Sequence, residues 1–260
     1  MPKAKSGIDY YLLDLRPKDS LMAFDKTMIL GSCFATSMGK KMAEEGYDVC
    51  INPFGTIFNP QSIAHSVSRL ISGAPFGPED CVEMGAGAGK ICSFSHHTSF
   101  ARPSAEEFLA VANASLRESA ACWKECDSLI ITFGTAQVWR HGGETVSNCL
   151  KRPGYEFTHE MLSLEEIEEC IRLILSTGKN CLFTVSPIRH LGEGAHVNTV
   201  SKSLLQVALA RTGAAYFPSY EILLDELRDY SWYAADKVHP SEEATALIWE
   251  RFKAYLTSRS

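Results

Sequence analysis

The 260-residue sequence contains nothing close to the ~18 uninterrupted apolar residues of a membrane span. It also lacks an excess of basic charge: 25 Lys and Arg stand against 31 Asp and Glu, a formal net charge of −6. A chain of that sign offers no general attraction to nucleic-acid phosphates or anionic lipid, so neither nucleic acid nor a membrane is expected as a partner. Met1 to Tyr10 carries Lys3 and Lys5, but the apolar stretch of a secretory leader does not follow, and a soluble cytoplasmic protein is expected. There is no glycine fingerprint for a nucleotide and no second Cys or His pair beside Cys122 and Cys126 at zinc-site spacing. No cofactor and no metal are therefore expected. The nine cysteines are odd in number and dispersed, which argues for reduced thiols rather than a disulfide framework.

What the chain does have is an alternation of strand-length apolar runs with segments of helical period, the pattern of a parallel sheet covered on both faces. Strands are predicted at 26–30, 48–51, 128–133, 180–185 and 214–217. Ala35, Met38, Met42 and Ala43 give the first intervening helix an apolar face, and Gly46 marks its stop. Asn59-Pro60 reads as an N-cap and first helical position, opening a helix through Leu70 and Ile71. Residues 200–210 have helical character, and a final helix places Ala244, Ile248, Phe252 and Leu256 on one stripe that should dock on the sheet. No repeat, linker or charge block divides the chain, so residues 1–260 are expected to form one domain. Two insertions interrupt the alternation. The first, Gly73 to Pro103, includes Gly85-Ala86-Gly87-Ala88-Gly89; the second, Trp139 to His159, centres on His141-Gly142-Gly143, a turn between short antiparallel strands. Both could fold over the carboxyl edge of the sheet, where open α/β folds bind ligands, as a lid or as ordinary surface loops.

The densest chemistry follows the first strand. In Gly31-Ser32-Cys33-Phe34-Ala35 a strand turns at once into a helix, presenting the Ser32 hydroxyl where helix N–H groups and the dipole stabilise a developing oxyanion. Far downstream, Asp236-Lys237-Val238-His239-Pro240-Ser241 supplies the carboxylate and imidazole that such a serine needs. Each has a plainer use alone: Gly-Ser as a helix cap, His239 as a surface residue before an acidic first turn. Together they point to a serine esterase. Cys33 is a rival thiol nucleophile, but adjacent residues on a turn face different ways, and packing is its expected use.

The sequence resembles the GSCFA family, a branch of the SGNH (GDSL-like) hydrolase superfamily. The resemblance rests on residues 31–35 and continues through Asn52-Pro53-Phe54-Gly55-Thr56-Ile57-Phe58-Asn59-Pro60, Ser186-Pro187-Ile188-Arg189-His190, Tyr216-Phe217-Pro218-Ser219-Tyr220-Glu221-Ile222 and Asp236-x-x-His239-Pro240, covering about 28–252. It implies a flavodoxin-like three-layer α/β/α fold with a mainly parallel five-stranded sheet. It also implies Ser32 as nucleophile, His239 as base and Asp236 as the group orienting the imidazole. The oxyanion hole it implies uses the Ser32 N–H, the Gly55 N–H and a third donor that is an asparagine elsewhere in the superfamily. Here Phe133-Gly134-Thr135-Ala136-Gln137 puts Ala136 in that register, leaving Thr135 or Gln137 to substitute.

Around this nucleus, His96 and His97 could aim a ring at substrate from the first insertion, with solvent exposure or a structural hydrogen bond as the alternative. Arg189 and His190 follow the fourth strand, where a guanidinium could grip a substrate anion or pair with an acidic helix. Trp232 and Tyr233 could line an acyl or sugar pocket or simply pack. The expected activity is hydrolysis of a small-molecule or carbohydrate O-acyl ester through an acyl-enzyme on Ser32. Transfer of the acyl group to a sugar or other hydroxyl is the first alternative, and a weakly catalytic ligand-binding module the second. Nothing in the sequence sets an oligomeric state.

Overall fold

Met28 and Leu30 point into one buried cluster and Ile29 into another, so the first strand is apolar at every position because both of its faces are covered. The computed structural model describes Leu13, Leu15 and residues 24–257; Met1 to Tyr10, with Lys3 and Lys5, lie outside the described residues. In chain order the elements are β1 (Lys26–Gly31), α1 (Cys33–Glu44), β2 (Asp48–Ile51), α2 (Pro60–Ser72), β3 (Val82–Glu83), β4 (Ile91–Cys92), α3 (Ala105–Glu125), β5 (Ser128–Phe133), β6 (Gln137–His141), β7 (Glu144–Val146), β8 (Phe157–Met161), α4 (Leu164–Leu175), β9 (Asn180–Val185), α5 (Ala195–Thr212), β10 (Ala215–Tyr216), α6 (Ser219–Glu221) and α7 (Glu242–Thr257). A π-helical turn, Ile222–Glu226, continues α6.

Five strands form the central parallel sheet in the order β10-β9-β5-β1-β2. This is the flavodoxin-like order, and its direction of winding reverses between β1 and β5, outside whose carboxyl ends such folds bind ligands. One face of the sheet is covered by α2, α3, α4 and α5, the other by α1 and α7. As the last-helix stripe predicts, Ala244, Ile248 and Phe252 are buried. Ala43, counted on the apolar face of α1, is exposed, because it is turned one residue, about 100°, away from the fully buried Met42.

The insertions are packed bodies rather than free lids. The first carries the β3–β4 pair, and Phe76, Met84 and Cys92 from it are buried in the same cluster as Met28 and Phe133. The second begins at Gln137, earlier than its hairpin signal, and forms an antiparallel sheet in the order β7-β6-β8. His141 pairs with Glu144 across Gly142-Gly143, both at positive φ (58° and 89°), the backbone that a two-residue hairpin turn requires. Val138 of this sheet and Leu150, between β7 and β8, are buried in the core cluster.

Candidate active site

Ser32 is the residue at which β1 becomes α1, with φ −67° and ψ 178°. Gly31 before it sits at φ 150°, and a Cβ there would lie 2.4 Å from the Thr132 carbonyl oxygen, so close packing of β1 on β5 requires glycine at this turn. Ser32 occupies the N-cap position without capping: its side chain accepts no helix N–H. The buried Oγ has no hydrogen-bond partner among the described residues. An uncompensated buried hydroxyl costs on the order of 1–3 kcal/mol, and such a cost in a native fold calls for a reason.

The turn after β2 braces this serine. Asn52 Oδ1 accepts the Gly31 N–H at 2.8 Å, Asn52 Nδ2 donates to Thr36 Oγ1 at 2.8 Å, and the Ile57 N–H donates to the Gly31 carbonyl at 3.0 Å. Asn52 thus holds both the strand before Ser32 and the helix turn after it. Its role is invisible in sequence, although it opens the long motif at 52–60. Gly55 closes the same turn at φ 80°; its N–H donates to the Asn52 carbonyl at 2.7 Å, and a Cβ on it would lie 2.3 Å from His97 Cβ. The N–H expected to face an oxyanion is therefore engaged in the turn in this conformation.

At the end of β5, Gly134 and Thr135 both donate their N–H to the Phe58 carbonyl (2.7 and 3.2 Å), so residues 57–58 bridge the ends of β1 and β5. Neither substitute for the missing asparagine is free. Thr135 Oγ1 pairs with Ser201 Oγ at 2.9 Å, and Gln137 Nε2 donates to Glu193 at 3.0 Å. The N-terminal half of α5 buries polar side chains beneath this edge: Asn198 Oδ1 accepts the His190 N–H, Ser201 Oγ accepts the Ala136 N–H, and Lys202 Nζ donates to the Gly134 and Ser186 carbonyls at 2.6 and 2.7 Å. Burial lowers Lys202 to about 7.

Asp236 and His239 lie on a loop attached beside the carboxyl end of β9. Arg189 fastens it, donating its N–H to the Val238 carbonyl at 3.1 Å and Nη1–H to the Lys237 carbonyl at 3.0 Å. Asp236 Oδ2 meets His239 Nδ1 at 2.6 Å, while Oδ1 accepts the Val238 and His239 N–H groups at 2.9 and 3.0 Å. Those backbone donors, with the imidazole, hold the carboxyl at about 2. The structure brings Asp236 and His239 together; Ser32 and His239 share no hydrogen bond.

The remaining predicted residues sort by burial. His96 departs from its expected substrate-facing role: fully buried, it is ringed by Phe54, Phe76, Phe100 and Phe108, bonds Ser93 Oγ through Nδ1 at 2.7 Å, and is driven to about 3 by desolvation. His97 uses Nδ1 to accept the Ser99 N–H at the start of a short 3-10 turn. Trp232 is buried in the second core cluster, so packing accounts for it. Arg189 forms no ion pair among the described residues; its guanidinium lies 5.5 Å from the ring centroids of both Tyr230 and Tyr233, in a cleft of about 410 Å³. His190 is treated below. No cluster of metal-ligating side chains is present among the described residues, and no helix among them is long and apolar enough to cross a membrane.

Compared with known proteins, residues 26–252 match the model of the GSCFA family. No curated protein sequence matches the chain. Among solved structures it is similar to one described as the psychrotrophic esterase EstA from Pseudoalteromonas sp., inhibited by monoethylphosphonate. That likeness has 12% identity and a TM-score of 0.45 over 90% of this chain and 97% of that one.

Proposed function

The chain belongs to the GSCFA family, and on that premise we propose that it is a serine hydrolase that cleaves an O-acyl ester of a small molecule or carbohydrate through an acyl-enzyme on Ser32. One observation carries the reading: the Ser32 hydroxyl stands buried at a helix N-terminus, at the reversal point of the sheet, and is committed to nothing. A serine kept only as a cap would have closed on the helix.

In the proposed reaction Ser32 Oγ bonds to the acyl carbon while His239 Nε2 takes its proton. The tetrahedral intermediate collapses as the ester C–O bond breaks, and the imidazolium returns the proton to the departing alkoxide. Water then repeats both steps on the acyl-enzyme, releasing the acid and restoring Ser32. Asp236, charged at every working pH because its carboxyl titrates at about 2, accepts from Nδ1 and leaves Nε2 as the basic nitrogen. The Asp-to-His spacing lets one short loop deliver both groups. Catalytic hydrogen bonds in free enzymes are often long and tighten when substrate binds, and the half-exposed Asp236–His239 loop is the element that closes on Ser32.

Ser32→Ala, assayed on an activated short-chain ester, tests the reading. Loss of turnover together with loss of covalent fluorophosphonate labelling is expected, with unchanged thermal unfolding. Turnover in Ser32→Ala equal to that of the unsubstituted enzyme would overturn it.

A further inference from the structure

Two buried polar atoms at the carboxyl edge of the sheet lack partners, Ser32 Oγ and His190 Nε2. They belong to segments on either side of β5. Ser32 follows β1, His190 follows β9, and between those strands lies β5; a Cβ on Gly134, the residue just beyond β5, would lie 3.1 Å from His190 Nε2 and 2.8 Å from Phe58 Cβ. The absent side chain lets the imidazole edge and Phe58 close directly on the backbone at the end of β5. Neighbouring strands are ~4.8 Å apart, so an oxygen on a carbon joined to Ser32 Oγ would lie over β5, within reach of a donor coming from the β9 side.

The ring is fixed there. The backbone N–H of His190 donates to Asn198 Oδ1 at 2.8 Å and anchors the chain, the imidazole packs on Phe58 with centroids 5.7 Å apart, and Lys202 ties together the carbonyls of Gly134 and Ser186. Burial, aided by the positive charges of Lys202 and His239, lowers His190 to about 4, so at neutral pH it is an uncharged imidazole with one N–H. Every other donor expected for the third oxyanion position is occupied: Thr135 by Ser201, Gln137 by Glu193.

We propose that His190 is a catalytic residue whose Nε2–H supplies the third oxyanion donor, in the role otherwise filled by an asparagine amide. The proposal rests on Ser32 as nucleophile. The two histidines then divide the work by environment: His239, bonded to a carboxylate, carries the proton between Ser32 and the leaving group, while His190, neutral and desolvated, keeps its own proton and only donates a hydrogen bond. No covalent bond at His190 forms or breaks.

The test begins with fluorophosphonate on the unsubstituted protein, whose adduct sets a phosphonyl oxygen where the oxyanion would be. With the imidazoles labelled by 15N, His190 is expected to show a protonated Nε2 between about pH 5 and 8, and its Nε2–H resonance to move downfield in the adduct. His190→Ala and His190→Phe should each lower kcat about 10²–10³-fold with little change in KM, and His190→Gln, which retains an amide N–H, should recover at least about tenfold. The Phe variant keeps ring packing against Phe58, so a merely structural histidine would tolerate it. Full turnover in His190→Phe, or an Nδ1–H tautomer in the adduct, would overturn the donor while leaving Ser32 labelling intact. Failure of the unsubstituted protein to label at Ser32 would remove the nucleophile and the donor together.

Discussion

Asn52 accepts the Gly31 N–H at 2.8 Å, and the amide group of the same side chain donates to Thr36 Oγ1, so one residue spans the strand-to-helix turn that presents Ser32. Asn52 itself sits at φ 44°, a left-handed backbone that asparagine tolerates better than most residues. Asn52→Ala forfeits both hydrogen bonds and strains the turn, an expected loss of about 2–4 kcal/mol in unfolding free energy. Because the brace sets the position of Ser32, kcat should fall about 10²-fold as well. Asn52→Asp retains an acceptor for Gly31 and the backbone preference, and is expected to lie between the two. Denaturant unfolding of the three proteins, alongside ester turnover, checks the order.

Gly55 and His97 make the second close contact of the site. A Cβ at position 55 would sit 2.3 Å from His97 Cβ, on a residue whose φ of 80° already disfavours a side chain. Gly55→Ala should therefore cost at least about 2 kcal/mol and lower the melting temperature. The strain and the clash separate in a double variant. Gly55→Ala with His97→Gly removes the opposing Cβ and should restore part of the loss, whereas the φ penalty remains. If the double variant melts no higher than the sum of the two single effects predicts, the clash is not the cause.

The Asp236–His239 pair gives a prediction in rate rather than stability, since both side chains are half exposed. Asp236→Asn keeps an oxygen for the Val238 and His239 N–H groups that Oδ1 now accepts, so the loop should hold its shape. What changes is the group facing Nδ1. An amide N–H there favours the tautomer with its proton on Nε2, the nitrogen that serves as base in the proposed mechanism. Turnover should drop on the order of 10³-fold or more, with fluorophosphonate labelling slowed in parallel and thermal unfolding unchanged. Equal rates for the two proteins would detach Asp236 from the chemistry.

The sheet was legible because parallel strands buried on both faces read as apolar runs; 48–51, 128–133 and 180–185 match the observed β2, β5 and β9. The edge strand β10 is shorter than 214–217, covering only Ala215–Tyr216. The two-residue strands β3 and β4 have no period to read. Ser32, Asp236 and His239 stood out because their motifs are local. Asn52 did not, since its partners Gly31 and Thr36 lie 21 and 16 residues away. Adjacent histidines look alike in sequence, yet His96 enters the aromatic core and His97 caps a turn, a division set by packing alone. The burial of Asn198, Ser201 and Lys202 was likewise hidden, because polar residues on a helix read as its solvent face.

Lys202 provides the sharpest dependence on pH. A neutral amine has two N–H groups, and two carbonyls, of Gly134 and Ser186, receive them; among the described residues the third N–H of an ammonium finds only the Tyr220 ring at 5.6 Å. Burial accordingly lowers the group from 10.5 to about 7 in the folded protein. Between those values the unfolded chain binds a proton that the folded one does not, so stability rises with pH from about 7 towards 10.5 and is flat with respect to this group outside that window. Below it both states are protonated and the full cost of the buried charge is present. Lys202→Met removes the titration and leaves two buried carbonyls unpaired. It should unfold more easily at pH 10, where the amine is neutral and satisfied. The deficit should shrink as pH falls to 7, because the unsubstituted protein loses stability there and the variant does not. Urea unfolding of both proteins across that range decides the matter, and parallel curves would show that Lys202 keeps its charge when buried.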